Sequence, residues 1–212
     1  VKDQDWFEYL IPIPEEVPER YARMADVVKK RFGLMVKHLR NKKDVFPYAR
    51  DIFLLVNRAY KDLYGFVPLT DRQIDYNVEM YISMIRLEFL TLVIRQEDHK
   101  LVGVGIGLPS MAKALQKAKG KFLPTGWYHL YKALKGKNNK VLDLLLVAVD
   151  PEYQGKGVNS LLFSEFIPAA RQMGMEVAES NPELEENMRV RSLWSDLNAK
   201  HHKTRRAYIK TL

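Results

Sequence analysis

Cysteine is absent from the 212-residue chain, which excludes disulfide bonds, thiolate metal sites and cysteine nucleophiles. Long apolar runs are absent too, because no stretch approaches the roughly 20 residues that a membrane-spanning helix needs. We therefore expect a cytoplasmic protein with no membrane partner. The chain also begins at Val1 without a signal-like segment, so we expect its start to have been trimmed or processed.

Acidic residues are missing from His99 to Leu142, and this stretch accounts for the net charge of +8. Such a stretch is either a solvated lysine face or a patch that attracts nucleic acid, an anionic substrate or a phosphorylated cofactor. Nucleic acid is disfavoured, because the stretch has no recognised motif and no arginine to pair with bases. Its nine lysines are Lys100, Lys113, Lys117, Lys119, Lys121, Lys132, Lys135, Lys137 and Lys140.

Hydrophobic content of 47% and charged content of 28% are typical of a globular protein with a core. Residues 1–32 read as an N-terminal linker and helix, since Pro12, Pro14 and Pro18 interrupt regular structure. Residues 33–212 read as one α/β domain with a mixed sheet. Periodicity predicts helices at 19–32, 42–64, 70–85, 109–119, 125–134, 158–173 and 185–197, and strands at 34–39, 89–95, 101–108, 141–149, 175–180 and 200–210.

Three details of this pattern have structural consequences. Gly103, Gly105 and Gly107 share one face of their strand, so a neighbouring helix or a substrate channel must lie against them. Pro168 should kink or divide its helix. Residues 136–139 should turn the chain into the next strand.

A glycine loop follows the strand Val141–Val149. After Asp150-Pro151 come Gln154-Gly155-Lys156-Gly157, and an amphipathic helix starts near Val158. Such a loop can offer backbone N–H groups and a helix N-terminus to an anion, although an ordinary tight turn fits the spacing equally well. The spacing is neither that of a P-loop nor that of a dinucleotide fingerprint.

The run from Leu146 to Gly157, in this order of elements, resembles the GNAT superfamily of acyl-CoA-dependent N-acyltransferases. Gln154 and Gly157 match the family motif, whereas Asn159 stands where a second Gly or Ala is usual. The resemblance implies a mixed, mostly antiparallel sheet flanked by helices, with a helical insertion before the central strand. A more local similarity is to bacterial members about twice as long, which implies an N-terminal partner domain. A homo-oligomer is the other assembly that we consider.

The resemblance also implies a site for acetyl-CoA or another acyl-CoA. The backbone of residues 154–159 would hold the pyrophosphate, the edge of residues 147–149 would pair with the pantetheine, and Asn187 would lie beside it. The implied cofactor-binding residues are Val147, Ala148, Val149, Gln154, Gly155, Lys156, Gly157, Val158, Asn159 and Asn187.

The catalytic side matches the family less well. Many members have a proton-donating tyrosine where this chain has Trp194, and Tyr153 and Tyr208 lie elsewhere. For the base we take Glu179 first and Asp143 second. His201 and His202 alternate faces of a strand, so we expect no metal. Two functions follow: an N-acyltransferase that acts on a small-molecule amine by direct attack, or a catalytically weak acyl-CoA-binding module that supports a partner domain.

Overall fold

A computed structural model of the chain describes residues 1–82, 85–135, 139–194 and 197–210. Short 3₁₀ turns precede α2, β3 and α6. The helices and strands, in chain order, are β1 (Lys2–Pro12), α1 (Glu19–Phe32), β2 (Leu34–Lys37), α2 (Phe46–Tyr60), α3 (Asp71–Ile82), β3 (Leu90–Arg95), β4 (Leu101–Pro109), α4 (Ala112–Lys117), α5 (Gly126–Lys135), β5 (Val141–Val149), α6 (Val158–Gln172), β6 (Val177–Glu179), β7 (Glu183–Leu184), α7 (Met188–Trp194) and β8 (Lys200–Tyr208).

The strands follow the order β2-β3-β4-β5-β6-β1-β7, and β8 pairs with β1. β5 and β6 run parallel from Val141↔Val177 to Asp143↔Glu179. The pairs β2–β3, β3–β4, β1–β6, β1–β7 and β1–β8 are antiparallel. The predicted α/β fold with a mixed, mostly antiparallel sheet is therefore confirmed, as is the helical insertion, α4 and α5, before β5.

The chain divides into two compact units, and β4 and β5 contribute residues to both. The first unit comprises Val1–Pro14, Gly107–Leu145 and Ala170–Leu212. The second unit comprises Glu15–Ile106 and Leu146–Ala169.

In the second unit, α6 packs against the glycine face of β4. A Cβ atom at Gly103 would lie 3.3 Å from Val158 Cγ1, and one at Gly105 would lie 3.8 Å from a methyl group of Leu162. The neighbour of these two glycines is thus a helix, so the substrate-channel alternative is wrong for them. Val158 and Leu162 are buried in a cluster with α1, β2 and β3. This packing fixes where α6 begins.

In the first unit, β1 is the strand to which three others pair, namely β6, β7 and β8. The interpretation of residues 1–18 as a linker is therefore wrong for Lys2–Pro12. The polar composition of β1 hides it, because two of its buried side chains are Asp5 and Glu8. Arg206 on β8 forms two hydrogen bonds to Asp5, at 2.7 and 2.8 Å, and Arg205 binds Glu8. Arginines from the other end of the chain thus neutralise a strand that lacks the expected apolar alternation.

Several predicted boundaries change. The 42–64 helix becomes a 3₁₀ turn, capped by Asn41 and Asp44, followed by α2. α6 is continuous through Pro168, so the predicted division is wrong. The predicted 185–197 helix starts later, at Met188, after Glu183 and Leu184 pair with β1 as β7. Residues 195–196 of that prediction lie outside the described residues. Residues 136–138 of the predicted 136–139 turn, with Lys137, lie outside the described residues.

Candidate functional site

The glycine loop begins at Asp150, a buried carboxylate with two cationic neighbours. Arg58 lies 3.3 Å from it and Lys100 lies 3.8 Å from it. The Asp150 carboxylate also accepts the backbone N–H of Glu152 at 3.2 Å, which starts the 3₁₀ turn Pro151–Tyr153. Its own N–H donates to the Val102 carbonyl at 2.8 Å. The point where the chain leaves β5 is therefore fixed from both the side chain and the backbone.

Both glycines of the loop adopt left-handed backbone conformations. Gly155 has φ 74° and Gly157 has φ 84°, values that disfavour any residue with a Cβ atom. Gly157 also sits against α1, because a Cβ atom there would lie 2.9 Å from Met24 Cγ and 3.2 Å from Val28 Cγ2. α1 thereby supports the loop from behind, and no side chain at Gly155 or Gly157 covers the loop backbone.

α6 starts at Val158, directly after the second glycine. The first N–H groups of a helix have no partner within that helix, and its N-terminus carries partial positive charge. Lys156 adds a full charge at this point, with its ammonium 5.4 Å from the Phe32 ring and 5.5 Å from the Tyr153 ring. The second unit therefore places Gln154–Asn159 together as a positively polarised turn. The N–H groups of Gln154 and Lys156 bond within the loop, so an anion would bind to the N–H groups at the start of α6.

The end of β5 makes contacts that the sequence did not reveal. The Tyr60 hydroxyl donates to the Val147 carbonyl at 2.9 Å, and Gln154 Nε2 donates to the Val149 carbonyl at 3.1 Å. Burial raises the pKa of Tyr60 to about 12. Ala148, the residue between Val147 and Val149, is buried. Tyr60 matches the apolar face of α2, so no local signal separates it from an ordinary core residue.

The two predicted bases lie in the first unit, opposite each other where β5 and β6 pair. Glu179 forms an ion pair with Lys203 and lies 3.4 Å from His202. Burial raises the pKa of Asp143, a hydrogen bond from Ser110 opposes that rise, and the nearby charge of Glu179 adds to it. Further along β5, the Leu145 carbonyl accepts a hydrogen bond from the Asn181 side chain. The structure thus brings Asp143 and Glu179 together and gives Glu179 a cationic partner.

In the first unit, the Asn187 side chain binds the backbone at the start of α7. Its side-chain oxygen accepts the backbone N–H of Val190 at 3.3 Å, in the first turn of α7. At the far end of α7, Trp194 is buried and donates its indole N–H to Glu183 at 2.6 Å. An indole bound in this way cannot protonate a leaving group. Tyr153 is buried in the second unit, whereas Tyr208 is 71% exposed in the first.

A possible metal-ligand set consists of Glu8, Glu179 and His202, whose ligand atoms lie within 4.8 Å of one another. Lys203 already binds both carboxylates, and Arg205 binds Glu8. The group is therefore an ion-pair network whose negative charge is neutralised by side chains.

No helix in the described parts of the chain is both long enough and apolar enough to cross a membrane.

The fold and the glycine loop together define the class of the protein as an acetyltransferase-like α/β protein. The family model described as "Acetyltransferase (GNAT) family" matches residues 56–197, and the chain belongs to this family. This assignment confirms the predicted resemblance.

Individual relatives agree with this assignment. The chain is 29% identical over its whole length to a bacterial ceramide synthase of Caulobacter vibrioides, and it spans 55% of that protein. Two solved structures share the fold with a TM-score of 0.55 each. One is a GCN5-related N-acetyltransferase of Sphaerobacter thermophilus, at 13% identity over 95% of this chain and 50% of that one. The other is the glucosamine N-acetyltransferase region of a fungal multi-domain β-N-acetylglucosaminidase, at 10% identity over 96% of this chain and 20% of that one.

Proposed function

We propose that the chain is an acyl-CoA-dependent N-acyltransferase that transfers the acyl group to a primary amine by direct attack. The observation that carries this proposal is the loop Gln154–Asn159, with its two left-handed glycines supported by α1 and followed by α6. Such a turn fits a pyrophosphate, which needs close backbone N–H donors and positive charge. Asn159, partly buried in the first turn of α6, leaves those backbone donors in place.

Holding an acyl-CoA also requires a strand edge for its pantetheine arm. We assign this role to Val147–Val149 in the second unit. The Val147 carbonyl, which Tyr60 already contacts, retains one lone pair for a second donor.

Direct attack forms a C–N bond from the amine to the thioester carbonyl carbon and breaks the C–S bond. A base must take the proton of the ammonium, and an acid must protonate the leaving thiolate. We place Asp143 ahead of Glu179 as the base, because burial raises the pKa of Asp143 whereas Lys203 holds Glu179 as a paired carboxylate. For the acid we propose Tyr60, whose hydroxyl lies 2.9 Å from the Val147 carbonyl on the strand assigned to the pantetheine arm.

The acceptor that we propose follows from the relative's name. A ceramide is the amide of a long-chain amino alcohol, and a relative aligned with the whole of this chain is a ceramide synthase. We therefore propose the amino group of a long-chain amino alcohol as the acceptor. This chain spans 55% of that relative, so the acceptor is proposed for the part of the relative that aligns with this chain.

A second candidate function is acyl-CoA binding with little or no turnover. Trp194 favours it, because the residue at the family's usual acid position is buried and bound to Glu183. This candidate keeps the loop intact and assigns catalysis to a partner domain.

Calorimetry and thiol release test both functions. We expect acetyl-CoA or a longer acyl-CoA to bind, and desulfo-CoA to bind comparably, because the loop contacts the pyrophosphate. We expect thiol release with a long-chain amino alcohol and an amide product by mass spectrometry. Binding without thiol release across short and long amines would favour the binding module. No binding at millimolar ligand would contradict both functions.

A further inference from the structure

The helical insertion in the first unit carries charge of only one sign. We call residues 112–135, comprising α4, α5 and their connection, the α4–α5 hairpin. It has no acidic residue. Its lysines are Lys113, Lys117, Lys119, Lys121, Lys132 and Lys135, and none of them forms an ion pair with a described carboxylate. The six charges therefore face solvent without internal neutralisation.

α5 has one solvent-exposed face, and aromatic side chains occupy it. Trp127, Tyr128 and Tyr131 are each about half exposed, at 49%, 50% and 56%. Lys132 and Lys135 lie on the same face at helical spacing, and the Lys135 ammonium lies 5.5 Å from the Tyr131 ring. The opposite face, Gly126, His129, Leu130, Ala133 and Leu134, is buried or partly buried.

The connection to α5 exposes two more large apolar side chains, Phe122 at 65% and Leu123 at 69%. Hydrogen bonds hold the turn that carries these two side chains. The Trp127 backbone N–H donates to the Phe122 carbonyl and its indole N–H to the Pro124 carbonyl, both at 2.9 Å. Gly126 permits this packing, because a Cβ atom there would lie 1.9 Å from the Lys121 carbonyl oxygen.

The hairpin therefore presents an exposed apolar tip (Phe122 and Leu123), the aromatic side chains of α5 and a set of lysines. These three features together match one kind of partner. Large contiguous apolar patches on a surface mark interaction sites. Aromatic side chains favour the interface between water and lipid, and lysines near it attract anionic headgroups. Nucleic acid would use the lysines but not the apolar tip, and an acidic protein would leave the same tip without a purpose.

We propose that the α4–α5 hairpin docks on the surface of an anionic lipid bilayer. Phe122 and Leu123 enter the acyl boundary, the α5 aromatics lie at the level of the headgroups, and the lysines face the lipid phosphates. This interaction lies on the surface and requires no spanning helix. It departs from the expectation of no membrane partner, and it does not depend on the proposed acyltransfer.

Co-sedimentation with vesicles tests the proposal, using the full chain without acyl-CoA. We expect binding to vesicles of phosphatidylcholine and phosphatidylglycerol in equal parts, weak binding to phosphatidylcholine alone, and release at high salt. Phe122→Ser with Leu123→Ser should abolish sedimentation. Lys132→Gln and Lys135→Gln should each weaken it roughly fivefold. Val27→Ser and Lys30→Gln on α1 are matched controls that should bind like wild type, and circular dichroism checks the fold of each variant.

Tryptophan fluorescence supplies a second readout that does not rely on disruptive variants. Vesicles should shift the emission to the blue, and Trp127→Phe should remove that shift while sedimentation persists. A shift that survives in Trp127→Phe would overturn the proposed orientation. Equal vesicle binding by the hairpin variants and the α1 controls would overturn the proposal, as would binding of a DNA duplex without binding of vesicles.

Discussion

Tyr60 places a hydroxyl on a strand carbonyl inside an otherwise apolar cluster. Its ring packs edge-on to Phe66 at 5.8 Å, and its oxygen reaches Val147, so the side chain is fixed at both ends. A buried hydroxyl that binds a strand carbonyl is a fixed proton donor. Beside Val147 it could also orient a pantetheine arm that pairs with the strand. The hydrogen bond of the hydroxyl can therefore be removed without removing the packing of the ring.

Replacing Tyr60 by Phe keeps the ring and removes the hydroxyl. We expect kcat to fall by about 10²-fold, the low end for loss of a general acid, with a smaller change in KM for acyl-CoA. The measurement is steady-state thiol release. Tyr48→Phe, on the same helix and packed against the same cluster, is the control. Equal kcat in the two variants would rule out Tyr60 as the acid.

Asp143 links the chemistry to stability through its pKa. Because burial raises the folded-state pKa above the unfolded value, ionisation of Asp143 costs stability at neutral pH. That cost disappears as the pH falls through the folded-state pKa. Asp143→Asn should therefore raise the melting temperature at pH 7, and the gain should shrink on acidification, while thiol release falls.

Glu176→Gln is the matched control for Asp143, since the hydrogen bond from Lys140 lowers the pKa of that carboxyl. Its loss should leave the melting temperature unchanged or slightly lower at pH 7. A stabilised Glu176→Gln, or an Asp143→Asn that melts lower at pH 7 than wild type, would contradict the expected direction of the Asp143 effect.

At the scale of elements, the loop between β5 and α6 depends on two glycines that differ in their surroundings. Both have positive φ, but a Cβ atom at Gly155 would meet nothing within 4 Å, whereas one at Gly157 would press on α1. Gly155 is therefore favoured by its backbone conformation alone. Gly157 serves both conformation and the contact with α1.

Paired alanine variants separate these two contributions. Gly155→Ala should cost about 1 kcal/mol of stability from the left-handed conformation. Gly157→Ala should cost about 1–3 kcal/mol more, since the new methyl group meets Met24 and the buried Val28. Denaturant unfolding measures the difference, and calorimetry should show weaker acyl-CoA binding in both. Equal stability of the two variants would refute the support by α1.

Elements with strong local signals were predictable from the sequence. Apolar periodicity predicted the bounds of α1, which Gly33 caps in a left-handed conformation, and a continuous apolar run predicted β5. β1 was missed, because its strand character depends on arginines roughly 200 residues away in sequence.

Local signals also decided which parts of the candidate site were predictable. The loop is local and was visible, whereas the Tyr60 contact and the Lys203 partner of Glu179 depend on tertiary packing. The assigned cofactor and catalytic roles stay predictions.

At the scale of the whole molecule, the first fourteen residues are part of the sheet-containing first unit. β1 pairs with β6, β7 and β8, and Asp5, whose hydrogen bonds with Arg206 lower its pKa to about 2, anchors it. We therefore expect the first unit to require the N-terminal segment.

Deletion of residues 1–14 tests this view directly. We expect the truncated chain to lose the cooperative unfolding of the first unit and to aggregate, because β6 and β8 would present unpaired edges. Soluble yield and circular dichroism are the measurements. The full chain with Glu15→Ser and Glu16→Ser, exposed positions just after the deletion, is the control. A soluble truncated chain with an unchanged melting temperature would show that residues 1–14 are dispensable.

The pairing of β1 with β8 also has a kinetic consequence. Lys2 pairs with Tyr208, and β1 is synthesised long before β8, so the buried carboxylates of β1 must wait for their arginines. Contacts of such long sequence separation slow folding and leave an unsatisfied edge exposed during synthesis. Chaperone dependence and sensitivity to growth temperature should therefore track variants of β1 and β8 more closely than variants of the glycine loop.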